Sequence, residues 1–163
     1  MNLNKRVLLQ GGLVAVWALL SGCATVATPV SITDTAASTP ELSTLARLIN
    51  EAGLADTLRA AGPFTLFAPS DEAFKAVPAQ TLAALKADKA LLKSVLSYHV
   101  LTGRSAAADV KNGNVKSVQG AVLALSKAGS FVTVDDAMVM RADLPASNGV
   151  VHVIDRVLMP PKR

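Results

Sequence analysis

Hydrophobic and polar positions change rhythm several times along the chain, and each change marks an element. From residue 7 to residue 20 the chain is apolar except at Gln10 and two glycines. Residues 24–38, "ATVATPVSITDTAAS", show neither helical nor strand periodicity and predict a flexible tether. Thr39-Pro40 then reads as a helix start, with Thr39 as N-cap and Pro40 in the first turn, and Leu42, Leu45, Leu48 and Ile49 fall on one face. Gly53 ends that helix, and Leu54, Leu58 and Ala61 supply a second short apolar face before Gly62-Pro63. The period shifts to two at Phe64, Leu66 and Ala68, which predicts a strand broken at Pro69 and followed by a helix capped by Ser70. Further helices are predicted after Pro78 and after Asp88, the latter aligning Leu92, Val95, Leu96 and His99. Beyond Gly103, residues 115–118, 121–125, 131–134, 137–141 and 150–158 are short, β-branched stretches separated by turn residues. Helices in the first half and strands in the second predict an α+β domain over 39–160, with no internal repeat.

The apolar run at 7–20 follows Lys5 and Arg6 and falls short of the roughly 20 residues a membrane span requires, so residues 1–22 read as a signal peptide. Leu20-Ser21-Gly22-Cys23 resembles the lipobox of bacterial lipoproteins, which implies cleavage before Cys23 and acylation of its sulfur. Each buried CH₂ of an acyl chain contributes about 0.8 kcal/mol, so several chains on one cysteine make a lasting anchor. Residues 23–38 then form the lipidated N-terminus and tether, holding the domain on the order of 20 Å from the lipid. Ala24 after the cysteine resembles the pattern of lipoproteins sent on to an outer membrane. The expected location is therefore the cell envelope, at the periplasmic side or surface of the outer membrane in preference to the cytoplasmic membrane.

Loss of Lys5 and Arg6 leaves 14 basic against 12 acidic residues, and the basic ones are scattered singly, so no nucleic-acid partner is expected. Cys23 is the single cysteine, so neither a disulfide framework nor a thiolate metal site is available. The histidines, His99 and His152, have no chelating spacing, and no metal or other cofactor is expected. His152 and Asp155 stand three apart on a strand and point to opposite faces, which argues against a catalytic pair. Ser70 with Asp71 and Glu72 lacks the Gly-x-Ser-x-Gly elbow, and a helix cap with two carboxylates in the first turn accounts for all three. Asn148-Gly149 reads as a turn in which both residues tolerate positive φ. No catalytic residue is assigned.

Three stretches share an order and spacing: "FTLFAPSDEAF" at 64–74, "SYHVL" at 97–101 and "SNGVVHVIDRVLMPP" at 147–161. Together they resemble the fasciclin-type domain, an adhesion-associated module, over nearly all of the mature chain. The resemblance implies a wedge of two β-sheets with helices along one side, the first and last motifs being neighbouring core strands. Asp135 departs from the turn residue expected there, and no Arg-Gly-Asp is present. The resemblance also makes Tyr98 and His99 candidate partner-binding residues, Tyr98 as a partly exposed anchor. The competing reading of His99 is a buried imidazole bonded to backbone near the 64–74 motif. The function implied is a lipid-anchored adhesion or interaction module, meeting the membrane through its lipid and an unidentified envelope or extracellular protein or polysaccharide through its surface. The alternatives are a periplasmic enzyme or small-ligand carrier on the same scaffold, which requires a pocket with convergent polar groups, and a purely architectural envelope protein.

Overall fold

Strands β1 (Phe64–Pro69) and β7 (Gly149–Ile154) run side by side in parallel, from Phe64 opposite Gly149 to Pro69 opposite Ile154. The computed structural model describes residues 30–161; the predicted signal peptide, Cys23 and residues 24–29 lie outside these. Both central strands are buried almost throughout, because each of their faces meets a core. Leu66, Ala68, Val151 and Val153 face the helices, while Phe67 and Ile154 face the interior of the sheet. The pairing of the first and last motifs follows the family resemblance.

The helices precede and follow β1 in sequence: α1 (Ile32–Ser38), a 3₁₀ turn at Pro40–Leu42, α2 (Ser43–Glu51), α3 (Ala55–Arg59), then α4 (Asp71–Ala76), α5 (Ala79–Ala87) and α6 (Lys89–Tyr98). Their apolar stripes, including Leu45, Leu48 and Ile49 of α2 and Leu92, Val95 and Leu96 of α6, close over one side of the central pair. The remaining strands are β2 (Val100–Thr102), β3 (Gly113–Lys116), β4 (Val122–Ala128), β5 (Phe131–Val134) and β6 (Ala137–Ala146). Strand order is β2-β1-β7-β6-β5-β4-β3, and a bridge from Leu101 to Ser117 brings the two edges together into a nearly closed barrel. Register shifts in β6 between Val139 and Arg141 and between Arg141 and Leu144 bend it, so its start pairs with β5 and the rest with β7. The two sheets of the expected wedge are thus two halves of a continuous sheet sharing β6, and the fold is α+β.

Ser70 and Asp88 cap α4 and α6 as predicted, accepting from Ala73 N and from Ala90 and Leu91 N. Other expectations are corrected. Residues 32–38, assigned to the tether, form α1, capped by Ser31, with Ile32 and Ala36 fully buried. The domain therefore starts before residue 39. Alternation of small and polar residues hid this helix, whose stability comes from its packing and not from its propensity. Thr39 does not cap the next helix; its hydroxyl donates to the Thr35 carbonyl. The N-terminus of α2 is satisfied instead by Asp71 of α4, which accepts from Thr44 N and Ser43 Oγ. Strand β2 follows α6 at once and carried no separate signal. Residues 155–158 leave the sheet, and β7 ends at Ile154.

Candidate functional site

Tyr98 and His99 end α6, and both are buried, at 3% and 1% exposure. Tyr98 is therefore not the partly exposed anchor expected of it. The Tyr98 hydroxyl donates to Asp135 Oδ2 at 2.9 Å and lies 3.1 Å from the Val122 carbonyl. Burial first, and then the adjacent Asp135 carboxylate, push the phenol up to about 12. His99 Nδ1 is 2.8 Å from the Val95 carbonyl, and Nε2 accepts from Leu158 N at 2.9 Å. That pairing requires a neutral ring with its proton on Nδ1. Burial holds its pKa down at about 4, outweighing the bond to Val95. The His99 carbonyl also accepts from Phe67 N, so the imidazole joins α6, the 64–74 motif and the C-terminal segment. The structural reading of His99 accounts for every polar atom of the ring.

His152 occupies the barrel face of β7, stacked on Phe67 with ring centroids 5.5 Å apart. Its Nε2 lies 2.8 Å from the Ser105 carbonyl and its Nδ1 accepts from Asp143 N, again a neutral ring, with its pKa lowered chiefly by burial. Asp155 instead accepts from Met138 N. The two do not form a pair, as the strand geometry required.

Two residues read only as turn chemistry hold the fold together. Asn148 accepts from Ile32 N through Oδ1, donates from Nδ2 to the Leu58 and Ala60 carbonyls, and accepts from Phe64 N through its own carbonyl. Neither it nor Gly149 has positive φ. Gly149 is required for a different reason: a Cβ there would overlap the backbone carbonyl of Phe64 on β1. Asp135, at φ +52°, accepts from Ala124 N and from Tyr98, so the departure from the family pattern ties the β5–β6 turn to α6. The Asn-Gly pair marked Asn148 as a turn residue; nothing local reveals its four distant partners, Ile32, Leu58, Ala60 and Phe64.

A cleft of about 840 Å³ lies between α2, α4, α5 and β6. It brings together Ser70, Asp71, Glu72 and Asp155, with neither histidine among its walls. Ser70 Oγ is engaged in capping α4, and Asp71 is held below the usual carboxylate range: partial burial raises it, but the bonds from Ser43 and Thr44 prevail. Its floor is apolar, formed by Phe74, Leu82 and Val153, with Arg47, Lys75 and Lys86 around it. Among the described residues every buried side-chain nitrogen or oxygen has a hydrogen-bond partner, and no helix is long and apolar enough to cross a membrane.

The family described as Fasciclin domain matches residues 40–160. Protein sll1483 of Synechocystis is 42% identical over 134 residues, covering 81% of this chain and 74% of its own length. Immunogenic protein MPB70 of Mycobacterium bovis is 37% identical over 138 residues, covering 82% of this chain and 69% of its own. The cell surface glycolipoprotein MPB83 of the same organism is 36% identical over 135 residues, covering 80% of this chain and 60% of its own. A FAS1 domain pair from the insect cell adhesion molecule fasciclin I superposes with a TM-score of 0.63 at 18% identity, over 80% of this chain and 51% of that one, and shares the fold.

Proposed function

The chain belongs to the fasciclin-domain family, and from that membership we propose that it is an interaction module anchored in a bacterial envelope by lipid on Cys23. It meets a protein or polysaccharide partner with its folded surface and carries out no reaction. The observation that carries this reading is the internal commitment of the groups a reaction would use. His99 and His152 bond to backbone at both ring nitrogens, Ser70 caps α4, and Asp155 holds Met138 N. A nucleophile needs a base within hydrogen-bond reach, and no imidazole lines the cleft that contains Ser70. Surface placement agrees with the description of MPB83 as a cell surface glycolipoprotein.

With α1 inside the domain, residues 24–30 are all that lies in sequence between Cys23 and Ser31, the cap of that helix. The anchored domain lies close to the lipid. Mass spectrometry of the protein recovered from its native membrane tests the reading. A mature chain beginning at an acylated Cys23 is the expected result, with Cys23→Ser releasing the protein from the membrane fraction. An unmodified sulfur on a chain that retains residues 1–22 overturns the anchor. A soluble domain with no affinity for envelope or matrix fractions overturns the interaction role.

A further inference from the structure

The chain enters the domain at one end of the central strand pair. The Val30 carbonyl accepts from Ser147 N in the β6–β7 turn, and Ile32 N donates to Asn148 of the same turn. Asn148 in turn holds the Leu58 and Ala60 carbonyls and Phe64 N. Val30 therefore sits where residues 60–63 and 145–148 meet, at the start of both β1 and β7. Cys23 stands seven residues before Val30, and seven residues reach at most about 25 Å whatever their conformation. A compact domain of this size has a radius of gyration of about 14 Å and is roughly 35 Å across, and a path over its surface is longer still. A domain held at Cys23 thus cannot turn the opposite end of β1 and β7, where Ser70 N donates to the Ile154 carbonyl, down onto the membrane.

The two ends differ in chemistry as well as in distance from the anchor. Residues 60–63 and 145–148, Ala-Ala-Gly-Pro and Pro-Ala-Ser-Asn, contain no charged side chain. Val30, Ala60, Ala61, Pro63 and Pro145 are all exposed there. At the rim Arg59 pairs with Asp34, and Arg104 and Asp143 stand nearby, so the charges beside these turns balance. The opposite end is dense with charge of both signs. Asp71 and Glu72 open α4 there, Asp135 and Asp136 form the β5–β6 turn, and Asp155 and Arg156 follow β7, with Arg156 3.8 Å from Asp136. Ionised groups lose hydration at a lipid boundary, whereas small uncharged turns lose little. Reach and desolvation therefore select the same end.

We propose that the turns at 60–63 and 145–148, together with Val30, lie against the surface of the lipid bilayer that holds Cys23. The charged end of the domain, with the cleft beside it, points away from the membrane and is the surface left open to a protein or polysaccharide. This deepens the interaction-module reading and rests on its lipid anchor.

The sequence itself supplies the means of testing this. Cys23 is the single cysteine and Trp17, the single tryptophan, precedes it. A mature chain beginning at Cys23 is therefore coupled through that sulfur to a maleimide-headgroup lipid and carries one introduced tryptophan as its reporter. Ala61→Trp and Pro145→Trp place the indole at the uncharged turns. Gln80→Trp places it on an exposed position of α5 at the other end, beside Thr81, which lines a hollow with Arg156. In vesicles of phosphatidylcholine and phosphatidylglycerol containing a nitroxide-headgroup lipid, quenching is expected to be several-fold stronger for Ala61→Trp and Pro145→Trp than for Gln80→Trp. Each variant is first required to keep the wild-type melting curve, and if one of the first pair does not, the other decides. Equal quenching at the two ends, stronger quenching of Gln80→Trp, or quenching at neither end overturns the proposal. The coupling is chemical, so this outcome judges the orientation alone, whereas an unmodified Cys23 in the native protein overturns the anchor itself.

Discussion

On the helix side of the β1–β7 pair, Leu66, Ala68, Val151 and Val153 meet the leucines and isoleucines of α1, α2 and α6. On the barrel side, Phe67 and Ile154 share the interior with Tyr98, and the same strand faces carry Thr65 and His152. Thr65 Oγ1 donates to the Gly103 carbonyl and accepts from Ser105 N, while His152 reaches the Ser105 carbonyl, so a hydrogen-bonded chain pins the 103–105 loop to both central strands. The helix side is held by non-directional burial, which tolerates exchange among side chains of similar volume. The barrel side adds polar groups whose loss leaves partners unsatisfied out of water. One backbone pair thus supports one core defined by volume and another defined partly by geometry.

Both cores depend on the close approach of β1 and β7, so Gly149→Ala has the largest expected effect. Its Cβ would overlap the Phe64 backbone, which no side-chain rotation relieves, and a loss of about 3 kcal/mol or more follows. A near-normal denaturation midpoint for that variant would show that the strands separate at little cost. Leu66→Ala, on the helix side, is expected to destabilise by about 2–5 kcal/mol through its cavity, whereas Leu66→Met costs less than about 1.5 kcal/mol. Equal losses for the two would mean that shape matters on this side as well.

Acid distinguishes the two cores without mutation. In the unfolded chain His99 titrates near 6.5, and in the folded protein it resists protonation down to about 4. Between these values the unfolded state binds more protons, so stability present above pH 6.5 is lost as pH falls toward 4. The slope approaches about 1.4 kcal/mol per pH unit, and His152, shifted in the same direction, adds to it. Urea unfolding measured from pH 7 to 4.5 checks this; a flat profile would contradict neutral, buried imidazoles. The depressed carboxyls of Asp34, hydrogen-bonded first by Ser31 and then by Arg59, and of Asp71 act lower, as pH falls below about 3.8.

Smaller effects sharpen the contrast further. Thr65→Val keeps the shape of the side chain and strands Ser105 N and the Gly103 carbonyl, at a cost of about 1–3 kcal/mol. Asp135→Ala removes two bonds and places Cβ in the left-handed region without a side chain that favours it, for about 1–2 kcal/mol, while Asp135→Asn loses less. Thermal melts of the pair, read beside Thr65→Val, show whether the rim of the barrel is as specific as its interior.

The helix-facing core was legible wherever its periodicity was: Leu42, Leu45, Leu48 and Ile49 were read from their spacing, and all are buried. Helix α1 escaped because its inward residues, Ile32, Thr33, Thr35 and Ala36, mix polar with apolar and carry no stripe. Ser70 and Asp88 were legible as caps because a cap is local, within three residues of the N–H it accepts. Asp71 was read as a helix-dipole residue, and its second role, at Thr44 of α2, was invisible at a sequence separation of 27. Tyr98 and His99 are candidates for partner binding by the resemblance, yet exposure is a property of what packs over a residue, here the Asp135 turn and the Leu158 segment.

Sequence alone determined most of the elements, though neither α1 nor β2, together with the α+β class and the family, because periodicity, caps and turn residues act over a few positions. Tertiary structure decided which polar groups are satisfied and which turns share an end of the domain. Those properties belong to pairs of residues brought together from distant parts of the chain, and a hydrogen bond or an uncovered surface exists only once both partners have been placed.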